Sequence, residues 1–375
     1  MRRNPWLFLV IVVLLVGPVV MAQSPDRSRT FNVGAGGSLV VSVVGDVALQ
    51  TSSGGQVTVQ VFGIDEEDLQ YLLMEQTGNA VRVTYRPQDG SSDVSFQIGI
   101  PAQFDVDVKT AGGDISLAGM LTGKLTAKTA GGDVKVGDVD GVTNLSTAGG
   151  DITAGKVGGD ATLKTSGGDI HLDSSEGKVI VHTSGGDIVV GDVQKSLEAK
   201  TSGGDIRLSN VNGDAEASTA GGDLRVGKVA GTARLSTAGG DVECQGATGM
   251  VEAATAGGDI RMTDISGALK ASTAGGDIVA DLVPDGTSAS TLTTAGGDLQ
   301  ISLPASANAR VEAIIHVQGR WRIERDEYQI RSDFKAASQE ASDEDREIRA
   351  TYQLGAGGSV IRLETTNGNI TIRRR

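Results

Sequence analysis

Eleven aspartates recur in one context, Thr-Ala/Ser-Gly-Gly-Asp followed by Ile, Val or Leu. They are Asp114, Asp133, Asp151, Asp169, Asp187, Asp205, Asp223, Asp241, Asp259, Asp277 and Asp298. Eight consecutive gaps are 18 residues, the first is 19 and the last is 21. A column of carboxylates beside turn carbonyls is a donor set for a hard cation, and calcium is the cation it suits. Asp133, Asp151, Asp169, Asp187, Asp205 and Asp223, in the regular stretch, are the metal-ligand candidates. The calcium β-roll has the form Gly-Gly-x-Gly-x-Asp with a period of about nine. Here the Gly-x-Asp that should follow Gly-Gly is missing. The competing role is structural, with each Asp accepting backbone N–H groups at a corner. Lys109, Lys128, Lys164, Lys200, Arg207, Arg225 and Arg261 would then relieve the repulsion within the column. The missing consensus favours the structural role.

Other reactive side chains are few. His171, His182 and His316 have no metal-ligand spacing and read as solvated surface residues. The one cysteine, Cys244, lies three residues past Asp241, in an inward phase, and reads as a small buried hydrophobe. An enzyme on such a scaffold would need non-repeating acids and bases in a loop-walled groove. Most turns here are too short for that, and the irregular acidic segment from Asp326 to Glu347 has no defined partner. No catalytic residue and no cofactor are assigned.

A fixed short period is the mark of a solenoid, in which each repeat is one coil that cannot bury its apolar face alone. Residues two and four positions before Thr are apolar in nearly every copy, as in Leu125 and Ala127, or Leu197 and Ala199. Polar residues such as Lys128, Glu198 and Arg234 fall on the other phase, which is a strand with one buried face. Thr shares the inward phase, so Thr110 through Thr294 form a ladder whose hydroxyls bond to backbone or to the next Thr. After the glycines come a second inward column (Leu117, Val136, Leu172, Val190) and a third (Val139, Val157, Val193, Val211, Val229, Ile265, Val283). The expected architecture is all-β: a single-stranded β-solenoid, or parallel β-helix, with about 18 residues per coil. It has three short faces and a cap at each end. Eleven coils stacked about 4.8 Å apart give a rod of roughly 50 Å. The Gly-Gly pair is explained as a corner that needs positive φ.

The chain divides into residues 1–22, a signal peptide; 23–105, capping strands; 106–303, regular repeats; and 304–375, a C-terminal cap. The last carries a charged insertion at 331–348, read as helical or disordered. The signal reading rests on Arg2 and Arg3, the apolar run Leu7 to Val20, and Val20-Met21-Ala22 as a cleavage site. An uncleaved signal would be the one route to a membrane. The destination is export: periplasmic, cell-surface or secreted. The net charge is −14, and removal of Arg2 and Arg3 makes it −16 (31 cations against 47 acids). That surface excludes nucleic acid as a partner.

Three stretches carry a family resemblance: the repeated tag, the opening Phe31-Asn32-Val33 with Gly36-Gly37-Ser38-Leu39, and the ending Ile361-Arg362-Leu363-Glu364-Thr365-Thr366-Asn367-Gly368-Asn369-Ile370-Thr371-Ile372. In these the chain resembles the bacterial adhesin-like Toastrack domain family of unknown function, over about residues 30–374. The resemblance implies one β-solenoid, often exported or membrane-associated, with no established catalytic residues. The expected function is a non-catalytic exported solenoid, an adhesin or structural surface at the cell envelope, with a protein or glycan partner. The alternatives are a calcium-binding repeat module and a polysaccharide-active enzyme.

Overall fold

The computed structural model describes residues 24–88, 93–319, 327–342 and 346–375, so residues 1–22, read above as a signal peptide, lie outside it. Between Phe104 and Leu303 the chain winds as a regular succession of short strands. One strand of each coil precedes the tag, as in Val179–His182, and one follows it, as in Ile188–Val193. Inward residues of both are buried, with Val179, Val181 and Ile188 all at 0% exposure. Each strand pairs in parallel with the same strand of the next coil, and facing residues are 18 apart: Ile170 with Ile188, then Ile188 with Ile206.

The three inward columns are present, but they belong to two hydrogen-bonded sheets. The second and third columns lie on one continuous strand in most coils, Ile152–Val157 or Leu224–Val229. These strands bend midway, at residues such as Gly155 and Gly227, so two faces share one ladder. Val283 does not join the third column. A register shift after Met262 sets Leu282 opposite Ile265, and Leu282 becomes the buried residue.

The stacking order departs from the chain order at both ends. Gly37–Val43, in the first coil of the sequence, lies between Ala80–Tyr85 and Phe104–Thr110. Its continuation Asp46–Ser52 likewise lies between Ser95–Pro101 and Ile115–Ala118. At the other end, Ser359–Thr366 is inserted between Ser290–Thr294 and Ala309–His316. The first and last coils are therefore held inside the stack, and it is later or earlier segments that cover the ends. The N-terminal end is closed by the antiparallel strands Arg27–Asn32 and Leu72–Thr77. The C-terminal end is closed by Glu347–Leu354 and Ser338–Ser342.

The 331–348 stretch, expected to be helical or disordered, thus supplies edge strands where it is described. Ser338–Ser342 pairs with Glu347–Leu354, which pairs in turn with Ala309–His316, and this long-range pairing overrides local preference. The edges are short, charged or exposed (Arg27 and Arg29; Ser338–Ser342), which blunts sheet-to-sheet aggregation. No Phe, Tyr or Trp occurs from Asp105 to Arg320. The caps instead hold the buried rings Phe31, Tyr85, Phe96, Phe104 and Tyr352, which plug the two ends of a column otherwise lined by small aliphatics.

Insertion of the last coil predicts an uneven response to truncation. A chain ending at Leu354 loses a coil from within the stack and should lose its cooperative thermal transition. A chain starting at Val33 loses an edge strand with its buried Phe31 ring, so it should melt lower than the parent but keep a cooperative transition. Circular dichroism melting checks both; equal stability of the two truncations would contradict the inserted order.

Candidate functional site

The aspartate column runs along the corner between the two sheets. In every rung the Oδ1 of one Asp accepts the backbone N–H of the tag Asp in the next coil. Asp133 accepts from Asp151, Asp151 from Asp169, Asp169 from Asp187 and Asp187 from Asp205, each at 2.8 Å. Asp205 accepts from Asp223, and Asp223 from Asp241, at 2.9 Å. The column is longer than the eleven tags. It begins at Asp46, which accepts from Asp114 at 2.9 Å. It continues from Asp298 to Asn369 (2.8 Å), and Asn369 in turn accepts from Gln329 at 3.0 Å. Asn therefore fills the position without loss of the acceptor. The sequence signal for Asp46 was Gly45-Asp46-Val47, a tag shortened by one residue, whose Gly45 takes φ 111°.

The threonines face the other way. Thr201 is buried, and its Oγ1 donates to the carbonyl of Gly186 in the preceding coil at 2.9 Å. The same bond recurs from Thr110 to Gly45 and on to Thr365 and Gly297. The ladder is thus hydroxyl to backbone, never Thr to Thr.

The tag glycines do not have positive φ, contrary to the corner argument. They are required because coils touch there. A Cβ on Gly204 would sit 2.2 Å from the Gly186 oxygen and 2.6 Å from Asp187 Oδ1. On Gly203 the nearest atom, the Gly185 oxygen, is 3.2 Å away. The second glycine is sterically obligatory and the first is only tight.

Of the cations expected to serve the column, Arg207 and Arg225 do so. Arg207 reaches Asp205 at 2.7 Å and Asp187 at 3.5 Å; Arg225 reaches Asp223 at 2.9 Å. Lys109 and Lys200 pair elsewhere, with Asp107 and with Glu198 and Glu216. A hydrogen bond from Lys200, with a second from His182, holds the Glu198 carboxyl below its ordinary range. Among the described residues, no three His, Cys, Asp or Glu side chains come together as metal ligands. The six candidate aspartates stand in single file, with one oxygen of each already committed to the next coil.

Cys244 is fully buried in the column of Val226 and Met262, and burial pushes its thiol up. His171 is a surface residue beside Asp173. His316 is not simply solvated. Its Nδ1 lies 3.0 Å from Glu347 and its Nε2 2.8 Å from Glu364, tying three strands of the C-terminal cap. Glu347, in the segment that lacked a defined partner, is thereby held by His316 and also by Arg349. No local pattern could announce this cluster, because its members are 31 and 48 residues from His316.

The corner geometry predicts an ordered series in thermal and urea unfolding. Thr201→Lys buries an unpaired charge and should cost several kcal/mol. Gly204→Ala should cost ~3 kcal/mol through backbone overlap, against about 1 kcal/mol or less for Gly203→Ala. Asp205→Asn keeps the acceptor and should stay within about 0.5 kcal/mol of the parent. Equal effects at Gly203 and Gly204 would contradict the contact argument.

With that geometry in place, the chain can be set beside known proteins. Solved structures similar to it include a candidate adhesin from Bacteroides fragilis, 14% identical, with 94% of this chain and 100% of that one aligned at TM-score 0.22. Another, from Parabacteroides merdae, is 12% identical over 63% of this chain and 95% of its own, at TM-score 0.28. A candidate cell adhesion protein from Clostridium sporogenes is 9% identical over 93% and 99%, at TM-score 0.15. Superpositions this poor support no argument about this chain. No curated protein matches it. The family model described as Toastrack DUF4097 matches two overlapping stretches, residues 38–228 and 192–373, and the chain therefore belongs to the Toastrack family.

Proposed function

We propose that this chain is a non-catalytic, exported solenoid whose outer faces serve as an adhesive or structural surface at the bacterial cell envelope. The observation that carries the proposal is the corner itself. The repeated groups that could have done chemistry are engaged in stacking one coil on the next. What remains outward is a set of straight polar columns at the strand spacing, about 4.8 Å, broken by a groove over residues 192–264. Glu198, Lys200 and Glu216 are joined across two coils at 2.8 Å, and Lys270 meets Glu252 at 2.6 Å. Such surface pairs add little stability. They do fix side-chain directions on a flat face, which suits an extended partner. Export is supported by the charged and apolar N-terminal segment, and no helix among the described residues is long and apolar enough to cross a membrane.

Calcium loading on Asp133 through Asp223 and polysaccharide cleavage have no comparable support in the geometry. The adhesive reading predicts saturable co-sedimentation of the purified chain, residues 24–375, with bacterial envelope fractions. Absence of binding to every envelope fraction would contradict it.

A further inference from the structure

One stretch of the bent face breaks the regularity of the outer columns. Five and seven residues past the tag aspartate, successive coils carry Asp192 and Gln194, Asn210 and Asn212, then Lys228 and Ala230, then Gly246 and Thr248. The first two pairs form amide ladders between coils. Asn210 Nδ2 donates to Asp192 Oδ1 at 2.9 Å, and Asn212 Nδ2 donates to Gln194 Oε1 at 2.5 Å. Asn210 Oδ1 in turn accepts the Lys228 N–H at 3.3 Å. The ladders then stop, because Ala230 and Gly246 offer no polar side chain to continue them. The result is a groove of about 800 Å³ whose lining includes Ala230 and Gly246. On the far side stands Asp264, in a left-handed conformation (φ 48°) and paired with Arg375 at 3.1 Å.

We infer that this groove is a saccharide-binding site for neutral or amino sugars. Its size is that of a ligand pocket, about 300–1,000 Å³. Its walls hold amide and carboxylate heads already fixed by hydrogen bonds, so little side-chain freedom is lost on engaging hydroxyl groups. A protein partner would need an apolar anchor pocket or an open strand edge. The groove has neither: Val211 and Val229 point into the core, and the backbone beneath is paired coil to coil. Asp192 and Asp264 outnumber Lys228 along the walls, and the chain carries −14 overall, which disfavours acidic glycans. The inference rests on the adhesive reading for the origin of the glycan in the envelope.

Two variants test it. Ala230→Gln extends the Gln194–Asn212 ladder and fills the groove on an exposed position. Asn212→Ala removes one wall. Both should melt with the parent. The probe is bacterial envelope polysaccharide freed of protein by protease, before and after periodate cleavage of its vicinal diols. The parent should bind the untreated polysaccharide and lose binding after periodate. Each variant should bind at least tenfold more weakly, and glucosamine hexamer, not polygalacturonate, should compete. Undiminished binding by both variants would overturn the site, as would equal competition by polygalacturonate. Binding to whole envelope that disappears with protease treatment would identify a protein partner, overturning the saccharide site while leaving the adhesive reading standing. No binding to either preparation would remove both.

Discussion

The second glycine of each tag lies against the carbonyl of the second glycine one coil below, too close for any side chain, and beside it an Asp oxygen receives the next coil's N–H. That pair of contacts sets the spacing and the register of the whole rod. The strands on either side can then pair in parallel for the length of the molecule, because every coil turns at the same height. Val, Leu, Ile and Ala fill the narrow interior. The buried Thr hydroxyl completes the corner by satisfying the glycine carbonyl that the stacking would otherwise strand. Loss of the corner contact would free each coil to slip, and in a strand a slip of one residue turns the buried face outward.

A file of carboxylates along one corner repels itself, and the structure accommodates this without bringing them together. The aspartates remain partly solvated, with side-chain exposures of 45%, 29% and 31% for Asp187, Asp205 and Asp223. Each oxygen that faces its neighbour meets an N–H group and not another oxygen. Arg207 and Arg225 add cations in the middle of the rod. Asn369 shows that the hydrogen bond, and not the charge, is the recurring requirement.

Much of this was legible in the sequence, since the period of 18 is written eleven times with little noise. The alternation around Leu197 and Ala199 gave the buried face, Thr201 fell on the inward face expected of it, and Cys244 took its place in the Val226–Met262 column. What was missed depends on atoms distant in the chain. The glycines look like positive-φ residues when one corner is considered alone; the overlap that explains them belongs to the neighbouring coil. The insertion of coils 37–52 and 359–374 inside the stack leaves no trace in local alternation, which is the same wherever a coil is placed. The cluster around His316 and the Asn210–Asn212 ladders likewise exist only once the coils are stacked. Val283 was misassigned because a register shift after Met262 moved Leu282 inward.

The aspartate column is a hydrogen-bonding element of the stack, and calcium loading is the rival role for the same side chains. Calorimetric titration of the purified chain with calcium, followed by thermal melting with and without it, tests this most directly. The predicted result is no saturable heat and an unchanged melting temperature. Stoichiometric uptake of several calcium ions, with a raised melting temperature and loss of uptake when Asp169, Asp187 and Asp205 are changed to Asn, would contradict it.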